Sequence, residues 1–315
     1  MSLRLAFCLL AVRAAHPSET AAQTTYVFKQ VADCSIRADV YRPRDQTIRP
    51  VVFWIHGGAL IFGSRENLRT AQLQRYLEAG FAVVSIDYRL APETKLPEIL
   101  DDVRDAHDWV RTKGPDLFHI DPDRIAVVGH SAGGYLTLTC GHRLSPAPKA
   151  LVSFYGYGDI KGEWYSRPDP FYSTSEKPVS KEEAYGLVGR KALSEALWEE
   201  NRFRFYLYCR QRGLWPREVT GHDPDTDSAA FKPWCPLLNV GSGYPPTMLL
   251  HGDKDTDVPF AQSEQMAREL KARGVRHEFI AIPGGEHGFD ARMQDPVVAR
   301  AFDRVIDFLK STARK

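Results

Sequence analysis

From Val51 onward the chain alternates between two patterns of apolar residues. Short apolar runs, most of them rich in Val and Ile, recur: VVFWI (51–55), FAVVSI (81–86), IAVVG (125–129), ALVSFY (150–155), TMLLHG (247–252) and HEFIAI (277–282). Runs this apolar leave no polar face and predict strands covered on both sides. Between them the period changes. LPEILDDVRDAHDWVRTKG puts Leu96, Ile99, Leu100, Val103, Ala106 and Val110 on one helical face. AQSEQMARELKARG does the same with Met266 and Leu270 and stops at Gly274, and PVVARAFDRVIDFLKS reads as a last amphipathic helix. Upstream, YVFKQVADCSIRADVYRP alternates about a polar turn, as an antiparallel hairpin does. Strand and helix taking turns predicts the α/β class: a mostly parallel central sheet with helices on both faces.

One stretch breaks the rhythm. Residues 158–245 contain no clear strand, yet they hold Trp164, Trp198, Trp215 and Trp234 among many other aromatic residues. A structureless loop of that length is implausible inside a domain. The pattern predicts a partly helical cap inserted between two core strands, its aromatics forming a small core of their own. At the N-terminus, Arg4, the apolar run Leu5–Val12 and the small residues after it allow a short signal peptide or a disordered leader over residues 1–25, although Arg13 cuts the run early. Folded sequence is expected from about Tyr26, giving one domain over residues 26–315.

Composition narrows the possible partners. Among 315 residues, 41 basic side chains face 40 acidic ones, a net charge of +1, which provides no field to attract nucleic acid or an anionic membrane. No apolar run approaches the roughly 18 residues of a membrane-spanning helix. Cys8, Cys34, Cys140, Cys209 and Cys235 are scattered and odd in number, which argues against a zinc site and a disulfide framework. A cytoplasmic setting follows from the cysteines; secretion is the alternative if residues 1–22 act as a signal peptide.

The chemistry concentrates in four places. IAVVGHSAGGYL (125–136) runs a buried strand into Gly129-His130-Ser131-Ala132-Gly133 and then a helix, the G-x-S-x-G pattern in the strand–turn–helix context that gives it meaning. A turn that tight excludes side chains at the flanking positions and holds the Ser131 hydroxyl at a helix N-terminus, where N–H groups favour negative charge. A serine needs a base and donors for the oxyanion. WIHGGALIFGS (54–64) offers the donors: the N–H groups of Gly57 and Gly58, with that of Ala132, are expected to form the oxyanion hole, and His56 to brace the loop. IPGGEHGFD (282–290) offers the base, His287, in a Gly-rich loop at the C-terminal end of a strand. His130 is expected to point away from Ser131, and His251 to be structural.

The fourth place is HGDKDTDVPF (251–260), with Asp253, Asp255 and Asp257. As a calcium loop it fails, because Val258 stands where glycine is needed and Pro259 follows it. Spacing alone leaves all three aspartates open as the acid that orients a catalytic histidine.

Taken together, HGG (56–58), DYRLAPE (87–93), GHSAGG (129–134), HGDKDTDVP (251–259) and GGEHGF (284–289) resemble the α/β-hydrolase family, most nearly its esterase/lipase branch related to hormone-sensitive lipase. The resemblance runs from Val51 to near the C-terminus and leaves out the leader and the cap. It implies the α/β-hydrolase fold and the triad order serine, acid, histidine. In similar hydrolases the acid lies in H-G-x-x-D-x-x-V-P, which maps onto Asp255 and leaves Asp253 and Asp257 as turn or capping residues. DYRLAPE is expected to pack near the site. Two departures stand out: Ala59 replaces the third Gly of HGGG, and His130 the Asp of GDSAGG. The acid segment looks more like that of oligopeptidase-type and acetyl-esterase-type hydrolases. The expected function is a serine carboxylic-ester hydrolase acting on a small-molecule ester of short to medium acyl length, with no metal or organic cofactor. The alternatives are an amide hydrolase, arylformamidase-like or oligopeptidase-like, and a catalytically silent binding protein on the same fold.

Overall fold

The structure is a computed structural model; it describes residues 21–189, 191–196 and 201–313. Most of the expected leader, residues 1–20, and Trp198 lie outside the described residues. Eight strands, β1 (Ala21–Val31), β2 (Cys34–Pro43), β3 (Arg49–Ile55), β4 (Ala82–Ile86), β5 (Ile120–His130), β6 (Ala150–Phe154), β7 (Thr247–Gly252) and β8 (His277–Ile282), form one sheet in the order β1-β2-β4-β3-β5-β6-β7-β8. β2 runs antiparallel to β1 and β4, and every pairing from β4 to β8 is parallel. β1 begins at Ala21, ahead of Tyr26. Its first residues carry no apolar alternation; they are held by pairing with Pro43, Arg42 and Tyr41 of β2.

Each Val-rich run serves two cores because successive side chains leave opposite faces. Val51, Phe53 and Ile55 of β3 join one apolar cluster with helices α2 (Leu96–Phe118), α3 (Ala132–Arg143) and α9 (Ala261–Ala272). Val52 and Trp54 join the other, with α1 (Thr70–Glu78) and α10 (Pro296–Thr312). The last helix starts at Pro296 with Asp295 accepting from the Val297 N–H, a cap that satisfies one orphan donor. Its buried face, including Phe302, Val305 and Leu309, recurs at three- and four-residue spacing, and burying one such side chain stabilises the fold by roughly 1.5–3 kcal/mol.

β6 and β7 are separated by residues 155–246. This segment contains helices α4 (Glu163–Ser166), α5 (Pro170–Ser175), α6 (Lys181–Gly186), α7 (Phe203–Arg212) and α8 (Trp215–Thr220), and among its described residues no strand longer than a single bridge from Ala196 to Gly63. Its aromatics do pack on each other: Tyr165 stacks on Trp215 at 4.1 Å and on Trp164 at 3.7 Å, and Tyr157 meets all three rings edge-on.

DYRLAPE ties the end of β4 to its neighbours through its first residues and to this segment through its last. Asp87 accepts from Arg65, Tyr88 stacks on His56, and Arg89 pairs with Asp102. Glu93 pairs with Arg202, both about 5% exposed or less, and Arg202 also donates to the carbonyls of Ile61 and Ala91. Burial alone would raise the Glu93 pKa, but Arg202 outweighs it and the carboxyl stays below its ordinary range. Arg202→Met keeps the volume and strands the carboxylate, so it is expected to destabilise the protein by about 3–5 kcal/mol. Adding Glu93→Gln should recover much of that loss. Urea unfolding of the two variants checks this, and a single variant as stable as wild type would refute it.

Candidate active site

The C-terminal ends of β3, β5, β7 and β8 lie at one end of the sheet, and because the chain leaves β3 toward β4 and leaves β5 toward β6, the crevice between β3 and β5 is the topological switch point. At the end of β5 the chain must reverse into α3 within one residue. Ser131 takes φ 56°, ψ −119°, a conformation that costs a non-glycine residue of order 1–3 kcal/mol. Gly129 and Gly133 make the turn possible. A Cβ at Gly129 would lie 2.2 Å from the Gly133 carbonyl oxygen, and one at Gly133 would lie 2.1 Å from that of Ile55. Both are backbone contacts that cannot yield.

His287, in the loop after β8, lies with Nε2 3.0 Å from Ser131 Oγ and Nδ1 2.8 Å from Asp255 Oδ2. The Asp255 side chain is fully buried. Its Oδ1 accepts from the N–H groups of Asp257 and Val258, at 2.9 Å each, and Oδ2 also lies 3.2 Å from His251 Nε2. Burial pushes the Asp255 pKa up, but hydrogen bonds from His251 and His287 outweigh it and hold the carboxyl well below the usual carboxylate range. A carboxylate facing Nδ1 keeps the proton of neutral His287 there and leaves the Nε2 lone pair for the serine hydroxyl. Burial lowers the proton affinity of His287, yet Asp257 and then Asp255 outweigh it and raise its pKa above the ordinary value.

The three aspartates thus separate. Asp253 Oδ1 accepts from the Gly284 N–H and ties the β7 loop to the β8 loop. Asp255 faces His287. Asp257 is more than a turn residue: it bonds Arg210 and Tyr206 of α7, and its Oδ2 lies 3.4 Å from His287 Nε2. His251 is structural, donating to the Val258 carbonyl and accepting from Ser263.

The HGG loop covers the serine. A Cβ at Gly57 would lie 3.2 Å from Ser131 Cβ and 2.8 Å from the His130 carbonyl oxygen. Gly58 has φ 102° and Ala59 φ 55°, so the alanine that follows the two glycines occupies a left-handed conformation that glycine adopts more easily. Among the described residues the N–H groups of Gly57, Gly58 and Ala132 have no backbone acceptor. His56, buried and stacked on Tyr88, donates from Nδ1 to the Gly57 carbonyl and braces the loop.

Behind His287 lies a cluster that the sequence did not reveal. Asp290 is fully buried and accepts from Arg69, Gln72 and Tyr155, with His130 Nδ1 3.5 Å away. The ring of Tyr155 meets that of His287 edge-on at 4.6 Å. Burial among Trp54, Phe154 and Tyr155 depresses the His130 pKa to about 4, so its ring is neutral at pH 7. Among the described residues His130 makes no hydrogen bond to Ser131, although both residues line the same cavity. Asp290 stands three residues after His287, and that proximity was the one available signal.

Ser131, His287, Gly57 and Gly58 line a cavity of about 670 Å³. Phe62, Tyr172, Phe203 and Tyr206 make one wall; Ser64, Asn67 and Arg69 make a polar one. Among the described residues no cluster of His, Cys, Asp or Glu is arranged to hold a metal ion, and no helix is long and apolar enough to cross a membrane.

Solved structures similar to this one include the thermostable carboxylesterase EstE1 from a metagenomic library, 26% identical with a TM-score of 0.69, covering 96% of this chain and 92% of that one. The Pyrobaculum calidifontis esterase is 27% identical with a TM-score of 0.66, covering 94% and 86%. A Staphylococcus aureus protein of unknown function at 24% identity, TM-score 0.74, covers 94% of this chain and 100% of its own, and shares the fold. Among curated proteins, the non-reducing polyketide synthase Preu6 of Preussia isomera is 31% identical over 303 residues, and mapC' of Penicillium brevicompactum 32% over 320. These matches take in 86% and 87% of this chain but only 14% and 15% of the synthases. Residues 52–291 match the family model of the alpha/beta hydrolase fold, and the chain belongs to that family.

Proposed function

We propose that the protein is a serine carboxylic-ester hydrolase. The observation that carries this is the hydrogen-bonded chain Ser131 Oγ–His287 Nε2, His287 Nδ1–Asp255 at the cavity floor. His287 takes the hydroxyl proton as Ser131 Oγ adds to the ester carbonyl carbon, and the new oxyanion receives the N–H groups of Gly57, Gly58 and Ala132. As the intermediate collapses, the carbonyl–oxygen bond of the leaving alcohol breaks and His287 returns the proton to it. Water, deprotonated by the same imidazole, then releases the acid and restores the serine. Asp255 holds the ring in the required tautomer and balances its cation.

Residues 155–246 act in this reading as a cap. Phe203 and Tyr206 from that segment pack on Phe62, and Tyr172 on Tyr206, which makes one apolar wall suited to an acyl group of short to medium length. The solved esterases at 26–27% identity support ester chemistry. The curated relatives favour a second substrate within the same mechanism: a polyketide acyl group held as an ester or thioester, to which the same serine would add.

The test is hydrolysis of p-nitrophenyl acetate, butyrate and octanoate, with an aromatic acyl thioester alongside. Turnover of the two shorter esters, with kcat/KM falling at octanoate, is the expected result. Thioester turnover outpacing all three would favour the polyketide reading. If neither esters nor thioesters are cleaved, the hydrolase assignment fails.

A further inference from the structure

We propose that Asp257 is a second carboxylate serving His287, held at the opposite ring nitrogen from Asp255 by Arg210 and Tyr206 of α7, which act with it as positioning residues; this rests on the reading of Ser131, His287 and Asp255 given above. The geometry is specific. One oxygen of Asp257 accepts from the Tyr206 hydroxyl and from Arg210 Nη1 at 2.8 Å; the other lies 3.4 Å from His287 Nε2. Arg210 is 1% exposed. Its Nη1 also donates to the Asp257 carbonyl at 3.0 Å, its Nη2 pairs with Asp169, and its guanidinium lies 5.0–5.7 Å from the ring centroids of Trp164, Tyr165, Tyr172 and Tyr206.

A packing ion pair that joins the segment to the sheet would account for the first oxygen. It does not account for the second being turned to the nitrogen that must carry a proton during the reaction. In the resting enzyme Nε2 presents a lone pair and has nothing to give Asp257. Once the ring takes the serine proton, Nε2–H becomes a charged donor and the imidazolium lies between two carboxylates. Asp257 therefore stabilises the charged base, and Arg210 and Tyr206 temper that effect by holding part of its charge. The raised proton affinity of His287, to which Asp257 contributes most among the charges, agrees with this.

Other groups bear on the same ring. Asp255 lies at Nδ1 and the Tyr155 edge at 4.6 Å, with Asp290, Arg69 and His130 behind it. Asp257 itself faces Arg210, Tyr206, Tyr172 and Tyr165. Tyr172 also hydrogen-bonds Asp257. Arg210 and Tyr206 bond the Asp257 oxygen that does not face His287 and touch neither Asp255 nor the imidazole, so these two and Asp257 isolate the effect.

The sign is fixed by the charge. Below the pKa of His287 the base is protonated and inactive, so kcat/KM rises with pH through it. Asp257→Asn removes the stabilising charge and is expected to move that acid limb down by about one pH unit. Tyr206→Phe and Arg210→Met leave Asp257 less compensated and are expected to move it up, the first by less. Tyr206→Phe keeps the test sound if Arg210→Met fails to fold. Two readouts are needed on the full chain: the pH dependence of p-nitrophenyl butyrate hydrolysis, and imidazole NMR titration with the His287 signal assigned through His287→Gln. Opposite shifts for the Asp257 and Tyr206 variants support the inference, whether or not this ester is turned over. If Ser131→Ala abolishes hydrolysis while Asp257→Asn and Tyr206→Phe leave the midpoint unmoved, the esterase reading stands and this inference is wrong.

Discussion

Ser131→Ala will lower kcat for a p-nitrophenyl ester about 10⁶-fold, His287→Ala will do the same, and the double variant will be no worse than either. The reason is the 3.0 Å bond between Ser131 Oγ and His287 Nε2. A hydroxyl without a base is a poor nucleophile, and an imidazole without the hydroxyl has no proton to take. The two therefore act as one unit and their losses do not add. Some catalysis over water, of order 10³–10⁴, is expected to survive through binding and the N–H groups of Gly57, Gly58 and Ala132. Alanine at 131 inherits the same positive φ and, with a smaller side chain, meets no new contact, so the variant should stay folded. Steady-state rates on the three proteins, with thermal melts alongside, test this. Multiplying losses in the double variant would mean that the two residues serve separate steps.

The sheet was legible because its code is local. Six short apolar runs and one alternating hairpin give the eight strands, and even the order of motifs survives folding, since each follows its own strand. Ser131 was legible for a mechanical reason: only glycine fits at 129 and 133, so the turn leaves its signature in the sequence. What stayed hidden depends on pairs far apart in the chain. Arg210 meets Asp257 across 47 positions, Arg69 meets Asp290 across 221, and Arg202 meets Glu93 across 109. Nothing in the periodicity of a helix such as α7 marks one arginine as buried, because an arginine on an apolar face reads as an interruption. His130 escaped for a related reason. Its place beside the nucleophile suggested only that it would turn away, whereas its surroundings are aromatic rings from β3 and the end of β6.

The three aspartates of HGDKDTDVPF should separate in one experiment. Asp255→Asn is expected to lower kcat about 10⁴-fold, with Asp253→Asn near wild type and Asp257→Asn losing less than about tenfold at its own optimum pH. An asparagine at 253 still offers an oxygen to the Gly284 N–H, so that tie survives. At 255 the same change is severe without deforming the loop. The side-chain oxygen can still accept from the N–H groups of Asp257 and Val258, which fixes the NH₂ toward His287 Nδ1 and His251 Nε2. His251 Nε2 must keep its own proton for the Val258 carbonyl, so it too becomes a mismatched neighbour. Faced with a donor, His287 Nδ1 has to accept, and the ring's single proton moves to Nε2. That nitrogen then points a hydrogen at Ser131 and cannot take one from it. The loss is of tautomer rather than of position, so KM should change little while kcat collapses. Were Asp257→Asn the variant that collapsed, with Asp255→Asn mild, the acid would be Asp257 and the carboxylate at Nδ1 a structural prop.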